Sequence, residues 1–401
     1  MQFRDLAKQY QVLKTDIDNA MLSVATGAHY IMGPQVKELE QELAAYIGVK
    51  HCLTCANGTD ALTLALKAWG IRPGDAVFVP DFTFFASAEV VALEGATPIF
   101  VDVDDKTYNI DVTSLEKAIT QTLADGKLTP KVIVTVDLFG LPANYPLIKT
   151  VAKKYNLLIL EDGAQGFGGS INGQKACSFG DIATTSFFPA KPLGCYGDGG
   201  AVFTNNDEWA QLMNSYRVHG KGADKYDNVR IGMNSRLDTI QAAILQVKLR
   251  AFDKEVECVN EAARHYTELL NDKVKTPVIP EGFGSSWAQY TIQLPNEQLR
   301  NRMQVALKEA GIPSMVYYPK PMHLQSAFYN SQFSLSGAAS ANGACINLAE
   351  SRQNRTQSII NSQLNCDVAE RLCSTVLSLP IHPYIESLDI EYICTHLIAL
   401  L

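Results

Sequence analysis

Two stretches constrain the fold more than any other part of the chain. KVIVTVDLFG (131–140) and NLLILEDGAQ (156–165) are apolar at almost every leading position, without the alternation of a half-exposed strand. Strands apolar on both faces belong in a sheet that is covered on both sides. The segment between them, LIKTVAKKYN (147–156), repeats with helical period. A strand, a helix and a strand of this kind make a βαβ unit, whose strands run parallel.

The same succession extends from about residue 34 to 250. GPQVKELEQELAAYIG (33–48) reads as a helix, with Pro34 near its start and Gly48 at its end. KHCLTCANGTDALTLALKAWG (50–70) reads as a strand, a turn at Asn57-Gly58 and a helix to Trp69. DAVFVP (75–80), TPIFVDVD (97–104) and IATTSFF (182–188) are further β-rich runs. Beyond about residue 235 the texture changes. Residues 236–271 form one long helical stretch, a strut toward a smaller domain. SWAQYTIQL (286–294) reads as a strand, EQLRNRMQVALKEAG (297–311) as a helix and PSMVYYP (313–319) as another strand. The polar, weakly patterned segment near 331–364 is expected to be a surface loop. The prediction is an α/β chain. Residues 1–245 form a large domain, with an N-terminal helical segment and a mostly parallel central sheet flanked by helices. Residues 246–401 form a smaller α+β domain.

Composition narrows the function. With 401 residues, 47% of them hydrophobic, the chain can bury a large core in two domains. A net charge of -8 and no long run of Lys or Arg exclude nucleic acid as a partner. The N-terminus is charged and lacks the apolar centre of a secretory signal, and no stretch reaches the length of a membrane span. The expectation is a cytoplasmic protein. Nine scattered cysteines fit free buried thiols. Cys52 and Cys55 form a C-x-x-C after His51, but no second pair offers zinc spacing, so two thiols near the end of a buried strand are expected and no metal.

Three features carry chemistry. Glu161 and Asp162 end a strongly apolar strand, and ligands in open α/β sheets bind beyond the carboxyl ends of strands. A carboxylate there serves either as a structural cap or ion pair, or as the partner of a protonated ring nitrogen. At Gly58, Thr59 and Asp60 a turn enters a helix. Its free amides can hold phosphate, while Thr59 or Asp60 can equally cap the helix. Lys191 lies between Pro189 and Pro192 in TTSFFPAKPLGCYGDGGA (184–201), after a β-rich run and before a glycine-dense turn. A confined lysine loses its proton more readily and becomes a nucleophile toward a carbonyl. Lysine, phosphate cradle and strand-end aspartate together match the needs of pyridoxal phosphate.

The segments NGTDAL, PDFTFFAS, EDGAQGFGG, TSFFPAKPLGCYGDGGA, GMNSRLDTIQAAIL, YYPKPMHLQ and LSLPIHPY resemble the DegT/DnrJ/EryC1/StrS family across nearly the whole chain. These are pyridoxal-phosphate sugar aminotransferases of fold type I. Within the family the likeness is to the branch that aminates C3 of UDP-2-acetamido-3-oxo-glucuronate for bacterial surface polysaccharide such as O-antigen. The resemblance implies Lys191 as the Schiff-base lysine and Asp162 as partner of the pyridinium nitrogen. It places Gln165 at the ring's phenolic oxygen and Phe84 stacked on the ring. It implies Gly58, Thr59, Asp60 and Ser186 around the phosphate, with Asn234 reaching it from the neighbouring subunit of a homodimer. Arg236, Tyr317, Tyr318 and His323 fall on the substrate side. L-Glutamate, leaving as 2-oxoglutarate, is the implied amino donor, and a nucleotide-linked keto sugar the acceptor.

Departures from the family pattern bear on the sugar. Gly163 and Gly166 stand in EDGAQG where relatives often read EDAAQS, which suggests looser packing near the ring. Tyr317 stands where many relatives carry histidine, and Asp137 where many carry histidine or serine; both are expected on the substrate side. Other readings are C4 amination of a UDP- or dTDP-4-keto-6-deoxy sugar, an amino-acid aminotransferase, and a non-catalytic or regulatory protein. A sugar dehydratase of the same fold would lack the lysine that this chain has.

Overall fold

The computed structural model describes residues 1–224, 226–329 and 365–401. The segment expected as a surface loop near 331–364 lies outside the described residues. The central sheet takes its strands from one continuous part of the chain. They are β1 (His51–Cys55), β2 (Asp75–Pro80), β3 (Thr97–Val101), β4 (Thr129–Val136) and β5 (Leu158–Asp162). After a short pair, β6 (Ser170–Ile171) and β7 (Gln174–Lys175), come β8 (Ile182–Ser186) and β9 (Gly200–Thr204). The seven sheet strands lie in the order β1-β9-β8-β5-β4-β2-β3. Strands β3, β2, β4, β5 and β8 pair in parallel, and β9 runs antiparallel to both neighbours, β8 and β1. Only β9 is reversed, so six strands end at the same edge.

Burial on both faces explains the unbroken apolar runs. Val77, Val79, Val132, Val134 and Leu160 join one core with the Gly58–Ala68 and Ala86–Leu93 helices. Ala76, Phe78, Ile99, Ile133 and Ile159 alternate with them and join a second core on the opposite face. The Val112–Asp125 and Tyr145–Tyr155 helices cover that face. Pro34–Ile47 forms the expected helix, with Pro34 in its first turn and Gly48 closing it in left-handed conformation at φ 82°.

The Thr239–Leu270 helix runs unbroken for 32 residues. Its first half packs on the Leu6–Gly27 and Pro34–Ile47 helices. Its second half enters a separate core through Val259, Ala263, Tyr266 and Leu270. There it meets the Glu297–Glu309 and Ser387–Ala399 helices and a two-stranded antiparallel sheet. That sheet pairs β11 (Tyr290–Gln293) with β12 (Val376–Leu379), while the two-residue β10 (Phe283–Gly284) extends β6. PSMVYYP does not form the predicted strand. It makes one isolated bridge, Met315 to Ser378, and then turns inward. The cause lies in its two tyrosines: Tyr318 packs its ring near Phe82 and Phe84 and bonds Gln165, which takes it off the ladder.

Phe78 is fully buried in β2 at the centre of the second core. Phe78→Ala is expected to lower the free energy of unfolding by about 3–5 kcal/mol, read from urea denaturation followed by circular dichroism.

Candidate active site

The shared strand edge gathers the functional segments. Beyond β1 comes Asn57 and the Gly58–Ala68 helix; beyond β2, Asp81 to Phe84; beyond β4, Asp137; beyond β5, Gly163 to Gln165; and beyond β8, the turn that carries Lys191. Because β9 is reversed, its first residue, Gly200, sits at this edge too, paired with both Ser186 and Cys55.

Asp162 is buried. Its Oδ2 accepts from the Ser87 hydroxyl at 2.8 Å and its Oδ1 from the Ala164 amide at 3.2 Å. Ser87 is itself 3.2 Å from the Thr83 hydroxyl. Burial raises the Asp162 pKa, against the Ser87 bond, the charge of Lys191 and the Ala164 amide. Lys191 responds in the complementary way. Burial lowers its pKa, the Asp162 charge opposes that, and Arg4 reinforces it. An amine and a carboxylate within each other's field, both desolvated, make a nucleophile beside a group that favours a cationic partner.

The cradle is built by close approach. A Cβ at Gly58 would lie 2.7 Å from the Ser186 Cβ, and one at Gly200 would lie 2.5 Å from the Asn57 carbonyl oxygen. Glycine is required at both places. The helix cap is Asn57, whose side chain accepts from the Asp60 amide at 2.8 Å; neither Thr59 nor Asp60 caps it. Asn57 also takes the Ala61 amide on its carbonyl, so among the described residues the Gly58 and Thr59 amides have no recorded acceptor. A helix start with two free amides, beside the Ser186 hydroxyl, suits a phosphate.

Other predicted residues fall around this centre. Gln165 is buried, accepts from the Phe139 amide at 2.7 Å and donates to the Tyr318 hydroxyl at 2.9 Å. Phe84 is 56% exposed at the edge, its ring 6.3 Å from that of Tyr318. Half-buried Tyr317 packs edge-on against Phe3. Asn234 is exposed, held by a bridge to Val218, and its neighbour Ser235 accepts from the Ala56 amide at 3.1 Å. Arg236 is half-buried. His323 is turned onto acidic partners, with Nδ1 at 2.6 Å from Asp81 and Nε2 at 3.3 Å from Glu370. Burial opposes its protonation, but Asp81 and Glu370 outweigh it and its pKa is raised.

Several expectations are corrected. Gly163 and Gly166 do not loosen the packing. A Cβ at Gly163 would lie 2.5 Å from Cys177 Sγ, and one at Gly166 2.3 Å from the Asp137 Cβ, so both mark tight contacts. Asp137 does not face a substrate: it is fully buried beneath the Asp162 turn. Cys52 and Cys55, by contrast, are the expected buried free thiols, on β1, and burial pushes Cys55 up to about 12. Among the described residues one trio, Asp81, His323 and Cys366, brings metal-capable atoms within 4.8 Å of one another. Two of its members are already bonded to each other.

Sequence reasoning missed Ser87 and the anchor of the Lys191 turn. Lys248, 1% exposed, donates to the Gly194 carbonyl at 2.7 Å, and Arg4 reaches the Pro192 carbonyl at 3.5 Å. Buried Glu255 accepts from Gln9 at 2.9 Å and stands among these cations. A lysine and a glutamate seven positions apart on one buried helix face were the available signal.

Comparison with known proteins agrees with this geometry. Residues 11–362 match the DegT/DnrJ/EryC1/StrS aminotransferase family. The chain belongs to this family. Its aminotransferases work with pyridoxal phosphate, and the site has the lysine, carboxylate and cradle that the cofactor requires. A crystal structure of a family aminotransferase from Brucella abortus is 46% identical, with a TM-score of 0.88 over 99% of this chain and 98% of that one. UDP-2-acetamido-2-deoxy-3-oxo-D-glucuronate aminotransferase from Pseudomonas aeruginosa is 40% identical over 99% of both chains. A pleiotropic regulatory protein from Geobacillus stearothermophilus is 44% identical over 81% of this chain and 85% of its own. The protein is thus an aminotransferase of fold type I. No helix among the described residues is long and apolar enough to cross a membrane.

Burial lowers the Lys248 ammonium from 10.5 to about 8, with Glu255 opposing. A cation whose pKa falls on folding binds fewer protons in the folded chain between those two values, so its contribution to stability rises with pH there. Unfolding free energies measured by urea denaturation should therefore rise for the wild type relative to Lys248→Met between pH 8 and 10. Parallel curves would contradict the assignment.

Proposed function

We propose that this aminotransferase moves an amino group from L-glutamate to the C3 keto group of a UDP-linked 2-acetamido-3-oxo sugar, in the assembly of bacterial surface polysaccharide such as O-antigen. The observation that carries the chemistry is the Lys191 amine set against buried Asp162 beside a glycine-built cradle. The sugar rests on the likeness to the Pseudomonas aeruginosa enzyme along the whole chain.

When bound, pyridoxal phosphate supplies an aldehyde for amines and a ring that accepts electrons. Lys191 would hold the group covalently through Nζ. Its freed amine, kept unprotonated by burial, would then take the proton from the carbon bearing the donor nitrogen. Asp162 would keep a proton on the ring nitrogen. The amides of Gly58 and Thr59 and the Ser186 hydroxyl hold the phosphate, with Asp60 fixing the first helical turn next to them. Phe84, exposed at the edge, would cover the ring, and the second amide hydrogen of Gln165 would be left for the ring oxygen. After 2-oxoglutarate leaves, the same residues act in reverse order on the keto sugar. Tyr317, Tyr318 and Arg236 line the sugar side, and His323 braces that wall through Asp81.

The working form is a homodimer in the cytoplasm, with Asn234 reaching the partner's phosphate. Exposed apolar side chains near Asn234 support a covered surface there: Ile231 is 91% exposed and Val229 53%. The separate cores support a domain division within the long helix, between residues 1–245 and 246–401.

Kinship to a regulatory protein favours a second reading, in which the cofactor is bound but no transfer follows. The colour of the purified protein separates the two: visible absorbance that shifts on adding L-glutamate, with 2-oxoglutarate released, supports transfer. The product of a panel of UDP- and dTDP-keto sugars, located by NMR as a C3 or C4 amine, tests the substrate. Lys191→Ala is expected to abolish turnover and the covalent cofactor absorbance. Asp162→Asn is expected to lower turnover on the order of 10²–10⁴-fold, read under saturating cofactor; near-normal rates would remove Asp162 from its assigned role.

A further inference from the structure

Behind the cofactor-facing turn lies a pair of acids that the reaction does not use. Asp137, at the end of β4, and Glu161, beside Asp162 on β5, are both fully buried. Both reach Cys177: Glu161 takes its amide, and Asp137 Oδ2 stands with its Sγ over Gly163, so the two carboxyl groups share one buried site and each acts on the other. Glu161 accepts from three backbone donors and keeps room for one more on Oε1: Oε1 takes the Cys177 amide, and Oε2 takes those of Phe179 at 2.7 Å and Gly180 at 2.8 Å. Three amides of that kind stabilise a carboxylate. Asp137 is served on one side only. Its Oδ1 accepts from the Ala143 amide at 3.0 Å and the Tyr145 hydroxyl at 2.7 Å, and buried Oδ2 has no donor. Two adjacent buried acids cannot both be ionised without a counter-charge. The groups facing Asp137 are Glu161, Tyr145 and Cys177, none of them a cation.

We infer that Asp137 is a neutral carboxylic acid in the working enzyme and donates its own proton from Oδ2 to the Glu161 carboxylate, so that one shared proton positions the Asp162–Gln165 turn from behind. The coupling to that turn is direct. The Asp137 amide donates to the Asp162 carbonyl at 3.1 Å, and the Gly166 Cα presses on the Asp137 carboxyl, where a Cβ would lie 2.5 Å from Oδ2. Burial and the Glu161 charge push the Asp137 pKa well up, in the same sense. Asp137 is a positioning residue: it acts on the cofactor through Asp162 and Gln165.

The test uses the holoenzyme. Infrared difference spectra between wild type and Asp137→Asn at neutral pH should show the carbonyl stretch of a protonated carboxylic acid, present in wild type and absent in the variant. If no such band is lost, Asp137 is ionised and the inference falls. Asparagine can replace the shared proton with an amide hydrogen, while leucine cannot. Asp137→Asn should keep the cofactor dissociation constant within about threefold and Asp137→Leu should raise it about tenfold or more, read by titration of visible absorbance. Equal losses in the two variants would also overturn it. Stability gives a further reading: an acid whose pKa is raised on folding is protonated in the folded chain and ionised in the unfolded one. The unfolding free energy should therefore fall as pH rises above the ordinary carboxylate range, and less steeply in Asp137→Asn. Identical slopes would count against the shared proton.

Discussion

A carboxylate taken out of water needs a positive partner, and the placement of Asp162 makes that need govern the site. It is supplied with one hydroxyl and one amide, burial still raises its pKa, and the cation whose charge acts on it is the amine of Lys191. An aspartate so placed holds a cationic ring nitrogen well, because the ring brings the charge that the protein withholds. The rest of the architecture serves to present this one group. Parallel strands deliver their ends to a single edge, and β5, apolar from Leu158 to Leu160, carries Asp162 to that edge within the buried sheet.

The reversal of β9 does a related task. It returns the chain to the same edge just past Lys191, so the lysine turn is bounded by β8 on one side and β9 on the other. The turn is then held from behind by Lys248 and Arg4 through carbonyls at Gly194 and Pro192. This combination explains the two prolines and the glycines around Lys191. The prolines limit the paths of the turn, and the glycines let the backbone approach neighbours that side chains would block. At Gly194 a Cβ would lie 2.4 Å from the Pro189 carbonyl oxygen.

Much of this was legible in the residues, for physical reasons. Strands buried on both faces write long apolar runs, so β2, β4, β5 and the covered sheet could be read directly. The chemistry-bearing residues sit where strand ends meet glycine-rich turns, which is also readable, and the motifs there led to the family. What escaped lies in contacts made across the fold. Asn57 outcompetes Thr59 and Asp60 for the cap because its own backbone is extended, with φ −167° and ψ 172°, as a cap requires. PSMVYYP has strand-like residues, yet Tyr318 gains more by closing over Gln165 and the Phe82–Phe84 rings than by pairing. The pairing of His323 with Asp81 spans 242 residues of sequence, and no local pattern announces it.

Gly163 and Gly166 show how a difference from relatives can be misread one residue at a time. Judged alone, a glycine in place of a larger residue suggests slack. Judged with their neighbours, both are filled positions: Cys177 stands over one and Asp137 over the other. The glycine and the acid are complementary halves of one packing solution, in which Asp137 occupies the volume that a side chain at 166 would need. Its substitution pattern therefore speaks about the support of the cofactor turn. Under the proposed function the sugar is met elsewhere, at Tyr317, Tyr318 and the segment that His323 ties to Asp81. Positions 137 and 317 both depart from the family pattern, yet Asp137 is fully buried behind the Asp162 turn while half-buried Tyr317 packs on Phe3, so the two departures meet different surroundings.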